Sequence, residues 1–239
     1  MRRTVLATAV VLAAIWALPS ASAQSNTFTV DCNRGQRIAT ALELGDFRKP
    51  VVINVRGTCR EFVTITRANV TLRGDPTAEI VAPDNGRDLL TVSADRVTLE
   101  NLTLTGGLAG LSQDHAPTFI ARSCVIQDTS GVGVRVRVVD ARLINCAVQR
   151  SGGDGVAVIR GGSVVLSGGS QVLDSAGAGI SATQNSVVSL NNATVMRSGG
   201  SGIVLNGASH GSVGNGSTIA ENAEAGMVVD LSQANVAGG

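Results

Sequence analysis

The sequence predicts an all-β parallel solenoid, on three observations. A glycine followed by an apolar residue returns as Gly133-Val134, Gly155-Val156, Gly179-Ile180, Gly202-Ile203 and Gly226-Met227, at nearly equal steps. The step is that of a solenoid coil, too short for a propeller blade or a helical hairpin. A second apolar position keeps the same beat as Ile126, Val148, Val172, Val195 and Ile219, so each coil carries at least two short strands. Aromatic residues are scarce while Val, Ile, Leu and Ala abound, the aliphatic filling of parallel sheets.

The chain opens with Arg2 and Arg3, an apolar run over 5–18, and Ala21-Ser22-Ala23. This reads as a secretory signal peptide over 1–23, cleaved before Gln24, and places the protein in the secreted or periplasmic space of a bacterial-type cell. No second hydrophobic span follows, so no membrane span is expected after cleavage. Of 19 Lys and Arg, 17 remain after losing Arg2 and Arg3, against 18 Asp and Glu. Such a balance gives no field toward nucleic acid. The only tryptophan, Trp16, leaves with the signal, there is no tyrosine, and Phe28, Phe47, Phe62 and Phe119 stay.

Residues 24–60 read as an N-terminal cap and first strand. A short strand is expected at 28–30. A helix is expected over 36–44, with Ile38, Ala41 and Leu42 on one face and Gly45 as its stop. A lone amphipathic helix has only the open end of a solenoid to bury itself against, so it is read as a cap. Coils then fill 61–239. Strands are expected at 51–55, 62–65, 70–72, 79–81, 89–92, 97–99 and 102–104, separated by Gly, Asn and Asp. The segments 68–72 and 95–99 look like two copies of one coil element.

Four cysteines in an exported chain suggest disulfides. Position favours Cys32 with Cys59, clipping the N-terminal segment to the first coil. Cys124 and Cys146 lie one coil step apart, at one register of adjacent coils. Their separation is within disulfide range, and two stacked core thiols are the equal alternative. Neither pair has the spacing of a metal site.

Aligning the coils exposes further columns. Thr129, Ser151, Ser175, Ser198 and Asn222 form a polar column able to hydrogen-bond along the axis. One residue earlier stand Asp128, Arg150, Asp174, Arg197 and Glu221, alternating in sign as a stabilising ladder rather than a one-signed binding ridge. Outward of the glycine column lie Asp114, Arg137, Ile159, Thr183, Asn206 and Asp230, beside Ser112, Arg135, Ala157, Ser181, Val204 and Val228. Only the early end of that face is charged. Asp114, His115, Arg135, Arg137 and Arg160 could meet there on neighbouring coils, and arginines would clamp an acidic sugar. His115 and His210 otherwise read as surface or turn residues. Four Asn-x-Ser/Thr triplets, at Asn69, Asn101, Asn192 and Asn215, read as structural turns.

The helix at 36–44, the segment 55–65 (Val-Arg-Gly-Thr-Cys-Arg-Glu-Phe-Val-Thr-Ile), the segment 69–74 (Asn-Val-Thr-Leu-Arg-Gly) and the glycine-anchored coils resemble the right-handed parallel β-helix superfamily of pectate lyases and polygalacturonases. The resemblance covers nearly the whole mature chain and rests on scaffold residues. It implies a right-handed parallel β-helix with a short N-terminal capping helix. Polygalacturonases carry paired aspartates and a Gly-His-Gly motif. Here Asp154 stands alone, more than two coils before Ser209-His210-Gly211. Pectate lyases bind calcium through clustered carboxylates and use an arginine as base. The resemblance therefore offers Arg135 or Arg137 as the base and Asp114 as a lone calcium candidate, and His115 is a further catalytic candidate by residue type alone.

Two functions follow from these readings. The first is an exported scaffold or surface-binding protein that contacts extracellular or envelope polysaccharide without a complete catalytic site and needs no cofactor. The second is a polysaccharide lyase or related uronate-modifying enzyme, calcium-assisted, using the early arginine cluster. The last coil starts at Gly226 without a second apolar strand, so that end is expected to dock on further chain or a partner.

Overall fold

In a computed structural model the protein is described over residues 25–114, 118–214 and 216–237; the expected signal peptide and His115 fall outside these. The strands pair in parallel into one sheet of eight strands and one of 13. The longer strands of the larger sheet bend midway. Val51–Arg60, Val70–Val81 and Ser163–Leu173 shift register at 55/57, 73/78 and 167/170. Each bend turns the sheet a corner, so a coil has three faces. Pairs of strands expected as separate, 70–72 with 79–81 and 97–99 with 102–104, are therefore single elements, Val70–Val81 and Val97–Thr105.

The expected columns stack as read. Val134, Val156, Ile180, Ile203 and Met227 sit above one another in the eight-stranded sheet. Ile126, Val148, Val172, Val195 and Ile219 do so on the opposite wall. The 68–72 and 95–99 segments also pair, Val70 on Val97 and Leu72 on Leu99. Alternation along each strand sends every second side chain inward, where Leu72, Leu99, Leu143, Leu166 and Leu190 are buried. Each such side chain stabilises the coil by about 1.5–3 kcal/mol relative to exposure. Phe119, the one fully buried aromatic among the described residues, stacks on Ala141.

Gly133, Gly155, Gly179, Gly202 and Gly226 each stand just before a strand of the eight-stranded sheet. A Cβ on Gly155 would stand 2.6 Å from both Gly179 O and Ser175 Oγ, and closer still to Val172 Cγ1. Successive coils touch there, and only hydrogen fits. The expected polar column lies beside it and is buried. Its hydroxyls at Ser151, Ser175 and Ser198 have no hydrogen-bond partner among the described residues, contrary to the axial bonding expected. The serine oxygen instead fills the space the neighbouring glycine leaves.

The charged ladder pairs as expected: Arg150 Nε donates to Asp128 Oδ1 at 2.7 Å and Arg197 Nε to Asp174 Oδ1 at 2.7 Å. All five of its residues are left-handed, with φ between 52° and 56°. Asn69, Asn101 and Asn192 occupy left-handed turns too, as their structural reading implies.

At the N-terminal end the first strand is Asn26–Asp31, longer than expected. A 3-10 turn at Cys32–Arg34 follows, and the helix is the short Ile38–Leu42. Its apolar face is Ile38, Ala41 and Leu42, all buried. Two charged side chains hold it. Glu61, 3 % exposed, accepts from Ile38 N at 2.8 Å and Ala39 N at 3.3 Å, which satisfies the helix N-terminus from another coil. Arg67, also buried, donates to Leu42 O, Leu44 O, Asp46 O and Lys49 O beyond the helix C-terminus. Cys32 and Cys59 form the expected disulfide, with Cα atoms 5.0 Å apart.

The second bridge is not formed. Cys124 and Cys146 are buried thiols. They occupy one corner register of adjacent coils, and their S–H groups turn to the carbonyls of Arg122 and Ile144. Stacked positions hold their Cβ vectors parallel, the geometry least suited to a bridge. The adjacent Cys146 side chain, with burial behind it, pushes the Cys124 thiol far above the ordinary thiol range.

Candidate functional site

Charge gathers on the outer face of the eight-stranded sheet. Pairing of Leu111–Asp114, Val134–Arg137 and Val156–Ile159 places Ser112, Arg135 and Ala157 in one outward row, and Asp114, Arg137 and Ile159 in the next. Inward neighbours Val134 and Val136 are fully packed, so both arginines are forced out on the same side. Arg137 Nη1 lies 3.3 Å from Asp114 Oδ2 on the preceding coil. Arg135 Nη1 lies 3.0 Å from Asp88 Oδ2, two coils back. These four side chains are 22–31 % exposed, half sunk in the face. Asp88 is fixed in turn by accepting from Ala109 N at 3.1 Å.

The expected cluster is thus brought together in part. Asp114, Arg135 and Arg137 share the face, each arginine already engaged by a carboxylate. Arg160 sits in the exposed left-handed turn beyond Val156–Ile159 and joins neither pair. Asp154 borders the same face, accepting from Ala178 N at 2.9 Å and from Ser181 Oγ at 2.6 Å. His210 begins a strand of the other sheet, so it makes no pair with Asp154.

Where this face meets the first coil, a recess of about 290 Å³ opens between the helix and Val63–Ile65, lined by Phe47, Phe62, Thr64 and Thr66. Phe47 is 63 % exposed and has the Arg67 guanidinium 4.5 Å from its ring centre. Arg87 lies 4.7 Å over Phe62. Both stacks hold the rings rigid at the surface. From the recess, Thr64, Thr91, Ser112 and Arg135 continue as one outward row. A larger recess of about 410 Å³ lies between the first strand and the helix, away from the charged pairs.

Sequence reasoning missed Asp88, Phe47 and Phe62 as members of this face. Asp88 lies in an irregular loop outside the periodic columns, and its partner Arg135 is far along the chain. For metal, Asp114 is committed to Arg137. Among the described residues the one group of three metal-ligating side chains is Cys32, Cys59 and Glu61, whose sulfurs are bonded to each other. The face can donate and accept hydrogen bonds through its ion pairs, and it offers aromatic surface at one end.

Residues 133–237 match the family described as the right handed beta helix region. That stretch of the chain is similar to this family, and the parallel pairing continues through the described coils before it. This β-helix superposes on the pectate lyase Pel9A with a TM-score of 0.65 at 12% identity, covering 80% of this chain and 62% of the lyase, so it spans less than two thirds of that protein. It superposes on the pectin methylesterase from Aspergillus niger with a TM-score of 0.59 at 18% identity, covering 91% and 87% of the two chains. On the alginate lyase from Paenibacillus sp. str. FPU-7 the TM-score is 0.52 at 15% identity, covering 89% and 99%. These likenesses are of fold. No curated protein is similar in sequence.

Proposed function

We propose that this β-helix is an exported scaffold that binds polysaccharide on the outer face of the eight-stranded sheet without cleaving it, its short helix capping the N-terminal end. The observation that carries this reading is the continuity of the face. An aromatic recess at Phe47 and Phe62 runs on through Thr64 and Thr91, and over the buried Ser112, to the pairs Asp88–Arg135 and Asp114–Arg137. Apolar rings beside convergent donors and acceptors suit sugar rings and their hydroxyls. The names of the structural neighbours, lyases and an esterase of uronate polymers, support a polysaccharide ligand by fold analogy alone.

The second reading, a uronate lyase with Arg135 or Arg137 as base, is disfavoured by the carboxylates that engage both arginines. Affinity electrophoresis of the purified chain through gels containing polysaccharides, with reducing-end release measured alongside with and without calcium, tests both. Retardation without new reducing ends is expected. Absence of retardation in every gel removes the binding reading, and calcium-dependent release from a uronate polymer establishes the lyase.

A further inference from the structure

Granting the polysaccharide reading above, we infer that the ligand is a neutral polysaccharide and that Asp88 and Asp114 exclude uronates. Both arginines of the face are matched by carboxylates, Arg135 by Asp88 at 3.0 Å and Arg137 by Asp114 at 3.3 Å. Asp154 adds a third carboxylate at the border. At the recess Arg67 spends its donors on four backbone carbonyls while Glu43 lines the same recess. The two pairs at the centre of the face thus carry no net charge.

A uronate repeat brings one carboxylate per sugar. To reach Arg135 or Arg137 it must displace an aspartate that is partly sunk in the face and, for Asp88, held by a backbone N–H. It would otherwise sit beside that aspartate, where like charges in a partly desolvated groove repel. A neutral sugar meets neither obstacle. Its hydroxyls accept from the guanidinium and donate to the carboxylate, so a ligand can bridge the pair and leave it intact. The exposed ring of Phe47 takes the apolar face of a sugar at the same groove's end.

The test compares affinity electrophoresis of the full chain in galactan, xylan and mixed-linkage β-glucan with polygalacturonate and alginate, at low and high salt. Retardation by a neutral polymer, changing less than about twofold with salt, is expected. Retardation by the uronate polymers alone, abolished by salt, overturns the inference and leaves the binding reading standing. Retardation by none overturns the binding reading and the inference with it. The variant Asp88→Asn/Asp114→Asn, checked for folding by its circular dichroism, is expected to gain at least about tenfold in affinity for polygalacturonate, about 1.4 kcal/mol. A folded double variant that gains nothing also overturns the inference.

Discussion

Close approach between coils makes the glycine column the least tolerant position in the chain. Gly155→Ala pushes a methyl group against Gly179 O, Ser175 Oγ and Val172 Cγ1 of the next coil, none of which is the free end of a flexible chain. A loss of about 2–3 kcal/mol is expected from denaturant midpoints. Gly161→Ala meets nothing within 4 Å and strains only its left-handed φ of 74°, so about 1 kcal/mol is expected there. The ladder carries the pH dependence at this scale. Arg150 beside Asp128 holds that carboxyl below its ordinary 3.8, and Arg197 does the same for Asp174. A depressed folded-state value means the stabilisation is complete above about pH 4 and is lost as pH falls through the lower folded value. The acid limb of a stability profile from pH 7 to pH 2 should therefore be shallower in Asp128→Asn, by under about 1 kcal/mol because this pair is exposed.

The helix Ile38–Leu42 is too short to persist by itself, and its two ends are secured by side chains from the first coil. Glu61→Ala leaves the Ile38 and Ala39 amides without their acceptor inside the protein, and a loss of about 1–3 kcal/mol is expected. Arg67→Met frees four carbonyls and should cost at least as much. In both variants hydrogen exchange should rise at the amides of 38–49 before it rises in the coils. Unchanged protection there would show that the apolar face alone holds the helix. These anchors were not legible in the sequence, because an isolated Glu or Arg reads as surface and nothing local says that Glu61 will face a helix begun at Ile38. The periodic columns from Ile126 to Met227 were legible for the opposite reason. Every coil there repeats the same contact, so spacing alone reports it. The early coils vary in length, with Val51 stacking on Val70 and Val70 on Val97 after a short step and then a long one, which blurred the strands around 70–81.

At the scale of the molecule, each coil touches mainly the coils before and after it, so stability is a sum of neighbour interfaces. The Cys32–Cys59 bond adds a covalent constraint at one end, closing the loop between the N-terminal segment and the first coil. Its removal in Cys32→Ala/Cys59→Ala should cost about 3–4 kcal/mol in thermal or denaturant unfolding if the chain-entropy account holds. Cys124 and Cys146 should react with a thiol reagent only after unfolding, and reaction in the native state would contradict their burial. The face that binds in our proposal was half legible. Its arginine rows follow from coil register, while the aspartate and phenylalanines that complete it come from segments whose course no period describes.

The alternating ladder Asp128, Arg150, Asp174, Arg197 and Glu221 also gives the solenoid a parity. Duplicating or deleting one coil brings two like signs together, Arg150 against Arg197 for instance, whereas duplicating or deleting two restores the alternation.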